Sequence, residues 1–185
     1  MRGSPNEKRG GNSMLELNSY VIYGDNGVCL VADKRKEKFA GVIREYYILK
    51  PQGNEGSTLF VPTDNEELLS KMRSILTKDE ILDIIHSLPG EEVTWEDNNK
   101  VRGEYYSEVF EKGDRRELLL LIKALYEHKV ERKEEGKKLW TIDENAMKHA
   151  ENLVYEEFGT VLGIPQEEVI DFIMEEVGKV ERGEV

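Results

Sequence analysis

Near Thr77 the apolar residues of this 185-residue chain change their spacing, from the alternation of short strands to the three- and four-residue steps of helices. A chain patterned this way folds as a sheet-like part followed by a helical part, an α+β arrangement. Before the break, Tyr20-Val21-Ile22-Tyr23 is aromatic and β-branched. Gly24-Asp25-Asn26-Gly27 then tolerates positive φ, and Val28-Cys29-Leu30-Val31-Ala32 resumes the apolar run, which spells a hairpin. Residues 33–38 read as a charged connector. A second hairpin is expected from Glu45-Tyr46-Tyr47-Ile48-Leu49-Lys50, a turn over residues 51–56, and Thr58-Leu59-Phe60-Val61 closed by Pro62.

Four or five short strands without a helix long enough to cover them suggest a small curled β-barrel of SH3 or Tudor type over residues 15–76. From Thr77 onward the period is helical. Thr77-Lys78-Asp79-Glu80 has the form of a capping box, followed by Ile81, Ile84, Ile85 and Leu88 on one face and stopped by Pro89-Gly90. Further helices are expected over residues 98–112, then from the Asp114 cap through Leu118, Leu121 and Leu125. Another should follow a second box at Thr141-Ile142-Asp143-Glu144, and a last one should follow Gly163-Ile164-Pro165. The reading is an all-α domain of about five helices over 77–180, with 181–185 as a tail.

No apolar run approaches the roughly 18 residues of a membrane span; the longest aliphatic stretch is the five residues from Leu118 to Ile122. No membrane partner is therefore expected. Residues 1–14 are polar and Gly-rich without an apolar signal segment, so they read as a disordered leader. MRGS resembles an expression-vector leader, and Met14 is a candidate native start. The lone Cys29 forbids an internal disulfide or a cysteine zinc site and fits a cytoplasmic setting. The formal charge of −12 is uneven: +2 over residues 1–14, −1 over 15–76, −4 over 77–140 and −9 over 141–185. Such an acidic C-terminal quarter excludes gripping nucleic acid by bulk electrostatics, so any DNA contact must be local.

Enzymatic signatures are missing. His86, His128 and His149 have no metal-type spacing, phosphate loops of the GxGxxG or GxxxxGK kind do not occur, and the paired glutamates read as solvated helix faces. The expectation is a non-enzyme without metal or cofactor. Trp95, in the polar stretch Pro89-Gly90-Glu91-Glu92-Val93-Thr94-Trp95-Glu96-Asp97, is either a plug over the helices or an exposed wedge. Trp140, just before Thr141, is placed to staple the following helix.

Taken in order, several landmarks resemble the CarD/CdnL family of bacterial RNA polymerase-binding transcription regulators. They are Tyr20-Val21-Ile22-Tyr23 with Gly27-Val28, Glu45-Tyr46-Tyr47-Ile48-Leu49-Lys50, Phe60-Val61-Pro62 with Asn65, Arg73 ahead of a helix, and Thr94-Trp95 followed by helices and a Thr-x-x-Glu cap. The N-terminal part is also similar to the polymerase-interaction domain of transcription-repair coupling factors, although no helicase motor follows.

The resemblance implies a Tudor-like domain that adds an edge strand to the polymerase β subunit by β-augmentation. Thr58, Leu59, Phe60, Val61 and Pro62 are the candidate edge, with Phe60 standing where some relatives carry arginine. Arg35 and Lys36, with Lys34 and Lys38, either add cationic contacts or belong to a solvated turn. It also implies that the helical domain touches upstream promoter DNA, with Trp95 as an apolar wedge that stabilises the open complex. Lys100, Arg102, Arg115 and Arg116 would contact DNA beside it. Glu96-Asp97-Asn98-Asn99 replaces a basic run and Asn145 a basic residue of some relatives, so DNA binding should be weak and polymerase-dependent. A monomer is expected. The rival reading is a protein–protein adaptor whose barrel binds a strand or peptide and whose acidic helices never meet DNA. Exposure of Trp95 beside Lys100 and Arg102 separates the two.

Overall fold

The computed structural model describes residues 15–54 and 56–185; the leader expected over residues 1–14 lies outside the described residues. Two compact units divide the chain, Met1–Arg73 and Ser74–Val185. The first is built on a five-stranded antiparallel sheet of β1 (Tyr20–Tyr23), β2 (Val28–Phe39), β3 (Val42–Pro51), β4 (Leu59–Pro62) and β5 (Met72–Ser74), in the order β4-β3-β2-β1-β5. The order has two ends, so the sheet is open where a barrel was expected.

The stretch read as a charged connector is strand. β2 runs unbroken from Val28 to Phe39, and its residues 33–38 pair with Ile48 back to Ile43. Two local facts make this possible. Ala32 is accommodated as a bulge between Val31 and Asp33. The turn is then only Ala40-Gly41, with φ of 49° and 85°, the doubly left-handed conformation that matches the twist of a two-residue hairpin. Register also sorts the charges. Lys34, Lys36 and Lys38 share a face with Tyr47, Leu49 and Val61, whereas Asp33, Arg35, Glu37 and Phe39 share the other with Tyr46, Ile48 and Phe60.

Val21, Cys29, Val31, Tyr47, Leu49 and Val61 form the core of this unit. Leu68, Leu69 and Met72 pack against it. The two leucines belong to α1 (Glu66–Ser70), a short helix whose cap, Asn65, accepts a hydrogen bond from the Leu68 N–H at 3.1 Å.

Ser74–Val185 holds α2 (Lys78–His86), α3 (Asn99–Lys112), α4 (Arg115–Glu134), α5 (Thr141–Leu162) and α6 (Val169–Glu181). Thr77 and Glu80 form the expected capping box, with the Thr77 N–H donating to Glu80 Oε2 at 2.7 Å. Asp114 caps α4 by accepting from the Glu117 N–H at 2.9 Å. Gly113 and Gly163 end α3 and α5 with φ of 57° and 69°. The expected second box fails: Thr141 is already helical, Trp140 is the cap residue without a side-chain bond, and the Asp143 carboxylate is drawn inward. Nor does Trp140 staple the helix, since it is 53% exposed beneath the Arg132 guanidinium, 5.2 Å away. Ile81, Ile85, Leu118, Leu125, Val154 and Phe158 centre the helical core.

Candidate interaction surfaces

On the sheet unit, β4 ends the strand order. The Thr63 N–H donates to the Glu45 carbonyl at 3.0 Å, continuing the register in which Val61 faces Tyr47 and Leu59 faces Leu49. Backbone groups alternate in direction along a strand, so 59, 61 and 63 bond to β3 while the N–H and C=O of Phe60 point away from the sheet. Pro62 falls on the outward phase, where a missing N–H costs no ladder bond, and its carbonyl accepts from the Asn65 N–H at 3.4 Å. Of the expected edge residues, Thr58 is exposed, Leu59 and Pro62 are half-buried, Phe60 is 38% exposed, and Val61 belongs to the core.

Phe60 does not stand alone. Coiling of the long β2–β3 hairpin brings Phe39 over the sheet, with its ring centroid 5.3 Å from those of Phe60 and Tyr46; Tyr46 and Phe60 are 6.2 Å apart, and all three pairs meet edge to face. Tyr46 is buried, while Phe39 is 47% exposed and Val42, its cross-strand partner, is also exposed. Arg35, on the same face, is occupied by its own neighbours. Its Nη1 donates to Asp33 Oδ2 at 3.1 Å and its Nε to Glu37 Oε1 at 2.7 Å. Lys36 is exposed on the opposite face. Phe39 was not anticipated, because a residue at a strand end reaches its aromatic partners only through the hairpin's coil.

The second surface surrounds Trp95, in the connector between α2 and α3. The indole is half-buried, packs against the helical core and stacks on His128 of α4 with centroids 3.6 Å apart and planes 16° from parallel. The Arg102 guanidinium lies 4.6 Å from the ring. Arg102 was expected at DNA but is only 4% exposed. Its Nε and Nη2 donate to Asp143 Oδ1 and Oδ2 at 3.1 and 2.9 Å, its Nη1 to the Glu96 carbonyl at 2.8 Å, and its Nη2 also to Asn99 Oδ1 at 2.7 Å. The Tyr106 hydroxyl donates to Asp143 Oδ1 at 2.9 Å, and burial together with that bond pushes the phenol well above its ordinary range.

The other expected cations divide. Arg115, half-buried, forms a bidentate pair with the buried Glu157 at 2.7 and 2.8 Å, and Glu157 Oε1 also accepts from the Leu76 N–H at 2.9 Å. Of the two arginines expected at DNA, Arg102 is buried and Arg115 half-buried, each already bound to a carboxylate. Arg116 is part-exposed, pairs with Glu91 and donates through Nε to Ser87 Oγ at 3.2 Å. Lys123 Nζ donates to the Glu91 carbonyl at 2.6 Å. Lys100, with its side chain 86% exposed, meets Glu104 at 3.9 Å. Arg102, Arg116 and Lys123 therefore act as struts for the Trp95 connector, grasping it at Glu96 and Glu91. Arg102 and Arg116 were named from sequence, but Asp143 lies 41 residues from the first and Glu91 lies 25 from the second, so the partners carry no local signal.

Among the described residues, no group of three or more His, Cys, Asp or Glu side chains could hold a metal ion, and no helix is long and apolar enough to cross a membrane.

The sheet unit thus presents an exposed edge with outward hydrogen-bonding groups and an aromatic face beside it, a form to which a further strand can be added. Residues 15–74 match the family model described as the CarD-like/TRCF RID domain, so the sheet unit is similar to that domain. That family groups RNA polymerase-interacting transcription factors. No curated protein matches the chain.

Proposed function

We propose that this protein is a non-enzymatic transcription regulator that docks on the RNA polymerase β subunit through β4. The observation that carries the reading is the coincidence of the RID match with an edge strand that directs the Phe60 N–H and C=O outward. A polymerase strand added there makes main-chain bonds for affinity and meets alternate side chains for specificity. The Tudor-like curl implied by the resemblance is part of this reading, with the coiled β2–β3 hairpin supporting it.

The helical unit then approaches upstream promoter DNA with Trp95, Lys100 and Arg116. Polymerase supplies the effective concentration, because the acidic helices add nothing to phosphate affinity. Stabilisation of the open complex follows if Trp95 binds the melted edge better than the closed duplex. A second reading, an adaptor that never touches DNA, draws support from Trp95 being stacked on His128 and packed on the helical core. The test is open-complex lifetime with cognate polymerase, comparing no added protein, wild type and Trp95→Ala. A lifetime lengthened by wild type and restored to baseline by Trp95→Ala, with polymerase binding intact, supports the wedge. Polymerase binding with an unchanged lifetime supports the adaptor, and no polymerase binding overturns both.

A further inference from the structure

We propose that Phe39 and Phe60 form the specificity-determining part of the docking surface, and that the strand they receive presents an uncharged apolar side chain beside Phe60. This rests on the polymerase-docking reading and adds the chemistry of the partner. The argument begins at the edge. An added strand would lie about 5 Å from β4, with the side chain opposite Phe60 on the Phe60 face of the sheet. There it meets the exposed half of Phe60 and, beside it, the Phe39 ring, whose centroid is 5.3 Å from that of Phe60. Tyr46, buried beneath, braces both rings. Val42, exposed and paired with Phe39, continues the apolar surface toward the hairpin tip.

Charge on this face argues against an ionic partner. Its cations by register are Arg35, held from both sides by Asp33 and Glu37, and Arg44, exposed and directly opposite Glu37. Lys36 and Lys38 project from the opposite face. Beside Phe60, which pairs with Ile48 four residues along β3 from Arg44, an acidic side chain would lose its water against apolar neighbours. An apolar one buries surface against two aromatic rings that are already mutually oriented, so little side-chain freedom is lost on binding.

Phe39 provides the decisive test because it lies two strands from the edge and contributes nothing to main-chain pairing at β4. The full chain and cognate RNA polymerase are titrated at about 0.1 and 0.5 M salt, with Phe39→Ala, Phe39→Leu and Lys36→Glu as variants. Wild-type affinity should change by less than about twofold across that salt range. Phe39→Ala should weaken binding about tenfold, Phe39→Leu should recover most of the loss, and Lys36→Glu should have little effect. Circular dichroism checks that Phe39→Ala remains folded, as its half-exposed position predicts.

If wild type binds while Phe39→Ala binds equally well, or if affinity collapses with salt and with Lys36→Glu, the apolar surface is refuted and the docking reading survives. Loss of a homodimer in Phe39→Ala with unchanged polymerase binding would assign the face to a second copy of this chain and also overturn the proposal. Absence of any wild-type binding overturns both.

Discussion

Replacing Asp143 with alanine should unfold the helical unit more readily than almost any other single polar change. Asp143 is fully buried and accepts three hydrogen bonds, two from Arg102 and one from Tyr106. Its removal leaves the Arg102 guanidinium in the interior with only the Glu96 carbonyl and Asn99 Oδ1 as partners, and it orphans the Tyr106 hydroxyl. Breaking a buried pair by deleting one member costs about 3–5 kcal/mol, and an unsatisfied hydroxyl costs about 1 kcal/mol or more. The two surviving bonds to Arg102 offset part of the first figure, so the net should be about 4 kcal/mol. With a denaturant slope of about 2 kcal/mol per molar urea, the unfolding midpoint falls by about 2 M.

The variant Arg102→Met/Asp143→Leu, which leaves no charge behind, should recover most of the loss, because the penalty comes from the orphaned ion and not from the absence of the pair. A second readout follows from the geometry. Arg102 also holds the Trp95 connector, so Asp143→Ala in a Trp140→Phe background should shift Trp95 emission to the red before global unfolding. A cost below about 1 kcal/mol, or a double variant no better than the single, would refute the reasoning.

The same physics applies at Arg115, where Arg115→Ala strands the buried Glu157 carboxylate and should cost about 2–4 kcal/mol in urea unfolding, whereas Lys100→Ala should stay within about 0.5 kcal/mol. In the sheet unit, Ala40 has φ of 49° at the hairpin tip, and Ala40→Asn should raise stability by about 0.5–1 kcal/mol, measured by hydrogen exchange of β2 and β3 amides. Hydrogen bonds from Lys179 and from His86 hold the Glu176 carboxyl below the ordinary glutamate value of 4.5. A lowered folded-state value contributes stability that is fully present above about pH 4.5 and lost as pH falls through the folded value. Glu176→Gln should therefore be less stable than wild type at pH 7, with the difference in unfolding midpoint shrinking as pH falls below 4.5.

Features determined by neighbours in the chain were legible in the sequence. Thr77 with Glu80, Asp114, Gly113 and Gly163 set helix ends because a cap acts within one turn, and the change of apolar period separated sheet from helix because burial demands a period of two or of 3.6. The edge position of β4 was readable for a related reason, since Pro62 cannot donate to an inner ladder. Features that depend on distant partners were not. Residues 33–38 looked like a charged connector, and only pairing with β3 through the Ala40-Gly41 turn makes them strand. Asp143 has the position of a capping-box neighbour, yet its carboxylate turns inward to Arg102, 41 residues earlier. Arg102 and Arg115 were read as cations for a phosphate, and nothing in the sequence signals that each is held by a buried carboxylate, Asp143 and Glu157. Phe39 became part of a surface only when the hairpin coiled it onto Phe60. Local patterning decides where elements begin and end, because caps, turns and periodicity act over a few residues. The assignment of a charge to solvent or to an interior pair, and of an aromatic to a surface, depends on which segments tertiary folding brings together.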